Sequence, residues 1–184
     1  MAPLQITSAA REDIHERSLA AYPREACGLL IGTRASAPGV DGEGVDGENH
    51  SIAVEAALCR NMAEEAGRFE LHPEDFLAAE VDAASRGLAV IGVWHSHPDQ
   101  PAVPSPKDCL AAYAGWSHVI SSVGVRAVHA LRSWRIVDGT PSEESLTLLE
   151  RTVHEGLHPR QAAPYQSWMG LDQRAVWDFD STSW

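Results

Sequence analysis

The sequence predicts a mixed α/β fold, and three observations lead there. Leu88-Ala89-Val90-Ile91-Gly92-Val93-Trp94 is apolar and rich in β-branched residues, as a strand buried on both faces would be. Other apolar runs of similar length recur along the chain, separated by polar turns. Between them lie segments with helical spacing and helix start signals. Strands alternating with helices give a mixed sheet with helices on its faces.

Each element follows in order. Residues 8–21 carry Ile14, Leu19 and Ala20 among charges, which predicts an amphipathic helix. Ala26 to Thr33 reads as a core strand and Ser51 to Cys59 as its returning partner. Between them, Ala35 to Asn49 is rich in Gly and Asp and has no core-forming period, so it reads as a hairpin loop. That loop is a solvated connector or, alternatively, a rim to a site beside the preceding strand. Pro73-Glu74-Asp75-Phe76 opens a helix through Phe76, Leu77, Ala79, Glu80, Ala83 and Ala84 that stops at Gly87. The Leu88–Trp94 strand follows. Pro98, Pro101 and Pro104 then stiffen a turn into Ser105-Pro106-Lys107-Asp108, which has Ser at N-cap, Pro at N1 and an acid at N3 of a helix over Cys109–Ala114. His118–Val123, Ala127–Val137 and Ser145–Leu149 read as further strands.

Residues 1–149 are thus expected to form one domain and residues 150–184 an aromatic, acidic tail. The tail holds Tyr165, Trp168, Trp177, Phe179 and Trp184 among Asp172, Asp178 and Asp180. Three roles are open to it: folding back on its own domain, docking a partner or a second subunit in a homodimer, or covering a cleft.

Composition narrows the functional classes. Fourteen basic against twenty-six acidic residues give a net charge of −12, and Lys107 is the only lysine. Nucleic-acid binding needs a basic footprint that this balance does not supply. No apolar run approaches the roughly 20 residues that span a bilayer, and the first residues lack the basic and apolar regions of a secretory signal. Cys27, Cys59 and Cys109 make no disulfide framework, and Cys27 and Cys109 read as buried free thiols. The expected compartment is the cytoplasm.

The chemistry concentrates in residues 94–108. His95 and His97 stand two apart at the end of a strand, so alternation sends both imidazoles to one face. Asp108 follows on the first turn of the next helix. A catalytic zinc takes three such ligands and leaves a fourth position for water. The alternative reading makes Ser105 and Asp108 a reciprocal helix cap and nothing more. A second candidate, His154-Glu155-Gly156-Leu157-His158, has the literal zincin spacing. Gly156 weakens its helix, Pro159 ends it at once, and no glutamate follows to act as a third ligand. It reads as a turn or short helix.

The string His95-x-His97-x7-Ser105-x2-Asp108 resembles the motif of the JAMM/MPN+ metallopeptidases, which pair it with an upstream glutamate. Pro23-Arg24-Glu25-Ala26-Cys27-Gly28-Leu29-Leu30 looks like the bacterial version of that glutamate segment. Asn61, Phe69, Leu71 and Pro73 are spaced as in the subset acting on sulfur-carrier proteins. The resemblance covers roughly residues 4–140. It implies the MPN/JAB1 fold, a curved mixed sheet flanked by helices in a deaminase-like three-layer architecture. It also implies a Zn2+ ion held by His95, His97 and Asp108, with Glu25 as general acid–base and Ser105 as oxyanion donor. The implied reaction is hydrolysis of the peptide or isopeptide bond after the Gly-Gly tail of a ubiquitin-like sulfur-carrier protein. A non-catalytic MPN scaffold and a peptidase for cell-wall peptides are the alternatives.

Overall fold

The apolar runs form the middle of one eight-stranded mixed sheet in the computed structural model, which describes residues 3–34, 51–65 and 67–149. The elements run β1 (Leu4–Thr7), α1 (Ser8–Ala21), β2 (Cys27–Thr33), β3 (Ser51–Cys59), α2 (Pro73–Ser85), β4 (Ala89–Pro98), α3 (Pro106–Leu110), β5 (Ser117–Val123), β6 (Val128–Val137), β7 (Thr140–Glu144) and β8 (Leu146–Leu149). All belong to one compact unit, Met1–Glu150. The strand order is β7-β6-β5-β4-β2-β3-β1-β8. Central β2 is antiparallel to both β3 and β4, while β4 and β5 run parallel. β1 is parallel to both β3 and β8.

Two helices cover opposite faces of this sheet, and alternation along β2 explains why that strand is apolar throughout. Leu30 joins the α1 side, where Ala10 and Ile14 pack with Leu4, Ile6, Ala53, Ala56, Ile91, Trp94 and Val119. Leu29 and Ile31 join the α2 side, where Phe76, Ala79 and Ala83 pack with Val90 and Val93. Thr7 caps α1 by accepting from the Ala10 N–H at 3.2 Å. The buried stripe of α1 is Ala10, Ile14 and Ser18, spaced four apart; Leu19 and Ala20, which the sequence reading grouped with Ile14, face solvent. Small residues at both ends of the stripe let the helix axis approach the sheet, so side-chain size outranks hydrophobicity there.

Gly28 marks a close approach in the sheet. A Cβ at this position would run into the Ala57 carbonyl and the Trp94 indole. The buried Trp94 instead donates from Nε1 to the Ala57 oxygen at 3.2 Å. That contact locks β4 against β2 and β3, and β4 carries the two histidines.

Several boundaries differ from the sequence reading. β4 continues through His95 and His97 to Pro98, because its parallel pairing with β5 runs on through Pro98↔Val123. The helix expected over Cys109–Ala114 is a single turn ending at Leu110. β1 and β7 were not expected: one is four residues long, and the other, Thr-Pro-Ser-Glu-Glu, is a polar edge strand with no apolar pattern to reveal it. The loop expected over Ala35–Asn49 and the tail over 150–184, with its His154–His158 motif, lie outside the described residues. No described helix is long and apolar enough to cross a membrane.

Candidate metal centre

β4 delivers His95 and His97 to one face, as its alternation requires, and both are buried. Their Nε2 atoms approach to 3.0 Å. The turn after β4 brings back Asp108 on α3, with Oδ1 3.6 Å from His95 Nε2 and Oδ2 3.4 Å from His97 Nε2. The three side chains each offer one ligand atom, all within 4.8 Å of one another. Ligands at the bond lengths of a tetrahedral zinc lie about 3.3–3.4 Å from one another, so these separations match one ion between them. The donor set, two imidazoles and a carboxylate, suits zinc as well.

The helix-cap reading of Ser105 and Asp108 holds, and it does not compete with the metal reading. The Ser105 N–H donates to Asp108 Oδ2 at 2.7 Å, and the Asp108 N–H donates to Ser105 Oγ at 3.2 Å. The cap thus fixes the carboxylate that faces the histidines. Ser105 Oγ accepts from the Asp108 N–H, and its hydroxyl also hydrogen-bonds the Asp108 carboxylate, which helps hold that carboxyl low.

Glu25 precedes β2 and is buried. It reaches this centre because Cys27 pairs with His95 across the antiparallel ladder. Ser96, between the histidines and on the opposite face, fastens that approach. Its N–H donates to the Ala26 carbonyl at 2.9 Å, and its Oγ accepts from the Ala26 N–H at 2.8 Å. Nothing in the sequence alone marks Ser96; the pairing of two segments seventy residues apart had to be known first.

The electrostatics follow from burial and proximity. Burial pushes the Glu25 carboxyl up to about 7, against the favourable field of His97 and with that of Asp108. For Asp108 burial also pushes upward, but hydrogen bonding with His95 and His97 outweighs it and holds the carboxyl well below the usual range. Burial lowers His95, which favours the neutral imidazole that metal binding requires. On His97 burial acts downward too, yet Asp108 and the Pro101 carbonyl together raise it. His97 Nδ1 lies 2.9 Å from that carbonyl oxygen, which leaves Nε2 as the free lone pair when Nδ1 carries the hydrogen.

The other candidates separate cleanly. Burial lifts the thiols of Cys27 and Cys59 to about 12, so both stay protonated. Cys109 is half-buried rather than buried, a departure from the sequence reading that follows from the shortness of α3. His72 caps α2 by accepting from the Glu74 N–H at 3.2 Å. Buried His118 turns Nε2 toward the Tyr113 carbonyl at 3.4 Å. Phe69, whose spacing alone stood out in the sequence, stacks on His95 with ring centroids 4.4 Å apart.

With fold and geometry in view, the comparisons with known proteins agree. The family of prokaryotic homologs of the JAB domain matches residues 7–137. The chain belongs to this family. Among its relatives, the desampylase of Pyrococcus furiosus is 33% identical over 84 residues, 46% of this chain and 49% of that protein. The chain thus spans about half the length of that relative. The desampylase of Haloferax volcanii is 29% identical over 124 residues, 65% of this chain and 80% of that protein. The solution structure of a protein from Desulfitobacterium hafniense superposes with a TM-score of 0.68 at 28% identity, covering 85% of this chain and 99% of that one.

Proposed function

We propose that this protein is a zinc metallopeptidase that cleaves the peptide or isopeptide bond after the Gly-Gly terminus of a ubiquitin-like protein. The observation that carries the reading is the convergence of His95, His97 and Asp108 within 4.8 Å, with the buried Glu25 held against them through Ala26 and Ser96. Similarity to two desampylases, whose name denotes removal of a ubiquitin-like modifier, supports the reaction class. Residues 1–149 would be the catalytic domain.

His95, His97 and Asp108 would hold the zinc, which supplies Lewis acidity that makes a water nucleophilic near neutral pH. Glu25 takes a proton from the attacking water and delivers it to the leaving amine. A carboxyl poised at about 7 is matched to accepting and returning a proton at neutral pH. Ser105 turns its hydroxyl hydrogen from Asp108 to the carbonyl oxygen as negative charge builds there. The cap with Asp108 fixes where that hydroxyl stands. The carrier is proposed to be a sulfur-carrier protein, a choice supported by the spacing of Asn61, Phe69, Leu71 and Pro73.

Intact-mass analysis tests this directly. A sulfur-carrier protein with an extension beyond Gly-Gly is incubated with zinc-loaded enzyme, with chelated enzyme and with Glu25→Gln. Cleavage after Gly-Gly by the first alone is expected. Zinc-loaded protein that leaves the extension intact would overturn the substrate assignment.

A further inference from the structure

The loop joining β3 to α2 supplies neither a metal ligand nor the base, yet it touches both sides of the centre. Asn61 is its hub. The side-chain Nδ2 donates to the Glu25 carbonyl at 3.1 Å and to the Arg68 carbonyl at 3.2 Å. Its Oδ1 accepts from the N–H groups of Ala63 at 2.9 Å and Glu70 at 3.0 Å. An asparagine amide has two hydrogens and two lone pairs, so every bonding position is used. An Asn61↔Leu71 bridge and a bond from the Met62 N–H to the Glu70 carbonyl at 2.8 Å close the loop on itself. Arg24 ties it down again, donating from Nη2 to the Ala63 carbonyl at 2.9 Å.

This bracket presents Phe69 flat against His95, with ring planes 23° apart. The two histidines are otherwise held in different ways. His97 has the Pro101 carbonyl at its outer nitrogen. The outer nitrogen of His95, Nδ1, is buried without a hydrogen-bond partner. A metal-ligating imidazole ordinarily has its ring angle fixed by such an outer bond. For His95 the aromatic face of Phe69 is what restricts the ring. The same stacking gains strength when the imidazole shares a divalent charge, because the face of an aromatic ring attracts cations.

We propose that Phe69 is the positioning residue for His95, and that Asn61 holds Phe69 in place while anchoring the backbone of Glu25, so that this loop sets metal affinity. The inference rests on reading His95, His97 and Asp108 as a zinc site. Its test is the zinc dissociation constant of the full chain, measured by chelator competition. Phe69→Leu is expected to weaken binding about 10–100-fold, the usual cost of losing an outer-layer contact. Phe69→Tyr, which keeps the ring, is expected to bind like the wild type. Asn61→Ala is expected to weaken binding too, and Asn61→Ala with Phe69→Leu no more than the stronger single variant, because one acts through the other. Melting of the metal-free variants checks that each is folded. Wild-type affinity in Phe69→Leu would overturn the inference alone, and additive losses would overturn the part assigned to Asn61. Failure of the wild type to take up zinc would overturn the metal reading and the inference with it.

Discussion

Ser96 and Ala26 hold each other by two hydrogen bonds running in opposite senses, the Ser96 N–H to the Ala26 carbonyl at 2.9 Å and the Ala26 N–H to Ser96 Oγ at 2.8 Å. This pair fixes the residue beside Glu25 to the residue between the two histidines. Ser96→Ala removes the acceptor and leaves a buried N–H unpaired, which costs about 1–3 kcal/mol. The loss is expected to appear as a lower melting temperature together with a lower kcat, since Glu25 loses its tether. KM is expected to hold, because Ser96 is fully buried and meets no substrate. A variant that is destabilised but turns over at the wild-type rate would show that the tether does not position the base.

Glu25 makes the stability of the metal-free protein depend on pH. Folding raises its carboxyl from 4.5 to about 7, chiefly by burial. A carboxyl raised in this way contributes stability that is complete below its unfolded value and is lost as pH rises through the folded one. The Glu25 contribution to the stability of the metal-free wild type is therefore expected to be lost between pH 4.5 and about 7. Glu25→Gln stays neutral and escapes that loss. Above the window it is expected to exceed the wild type by on the order of 1–2 kcal/mol, with the gap closing below it. Urea midpoints of the chelated proteins on either side of the window decide the matter, and a gap independent of pH would refute it.

Ser105 and Asp108 share one cap but are expected to part company on metal binding. Ser105→Ala loses an N-cap acceptor, about 1 kcal/mol of stability. Zinc is expected to stay bound, and kcat to fall about 10²–10³-fold through loss of the proposed oxyanion donor. Asp108→Ala loses the cap and a proposed ligand together, so zinc binding itself is expected to fail. Zinc content by elemental analysis after gel filtration, set beside kcat, separates the two. A Ser105→Ala protein emptied of zinc would mean that the cap, not the carboxylate chemistry, governs the centre.

The central strands and the gathering of His95, His97 and Asp108 were legible in the sequence because both rest on local rules. Alternation puts His95 and His97 on one side, and Ser105-Pro106-Lys107-Asp108 carries its own helix start. The approach of Glu25 came from the family resemblance, since no local rule joins segments seventy residues apart. Ser96 and the stacking of Phe69 on His95 depend on strand register and loop closure, which leave no pattern in composition. β7 was invisible for another reason. Four of its five residues face solvent, so hydrophobic periodicity had nothing to report.

Beyond its ladder to β6, β7 is fastened by polar contacts at its one buried residue. Glu144 accepts from Ser133 Oγ at 2.7 Å and from Arg135 Nε at 2.7 Å, both on β6. Its side chain is fully buried, whereas that of Arg135 is 21% exposed and also donates to the Gly115 carbonyl at 2.7 Å. Removing one member of a buried pair strands the other, a loss that reaches about 3–5 kcal/mol when both are fully enclosed. Because Arg135 keeps Gly115 and some solvent, Glu144→Ala is expected to cost less, about 2–3 kcal/mol. Combining it with Arg135→Ala is expected to recover part of that cost, since the stranded cation is gone. A double-mutant cycle on urea stability measures the difference, with a coupling of about 1–3 kcal/mol expected. Additive losses would mean that Ser133, rather than Arg135, fastens the strand.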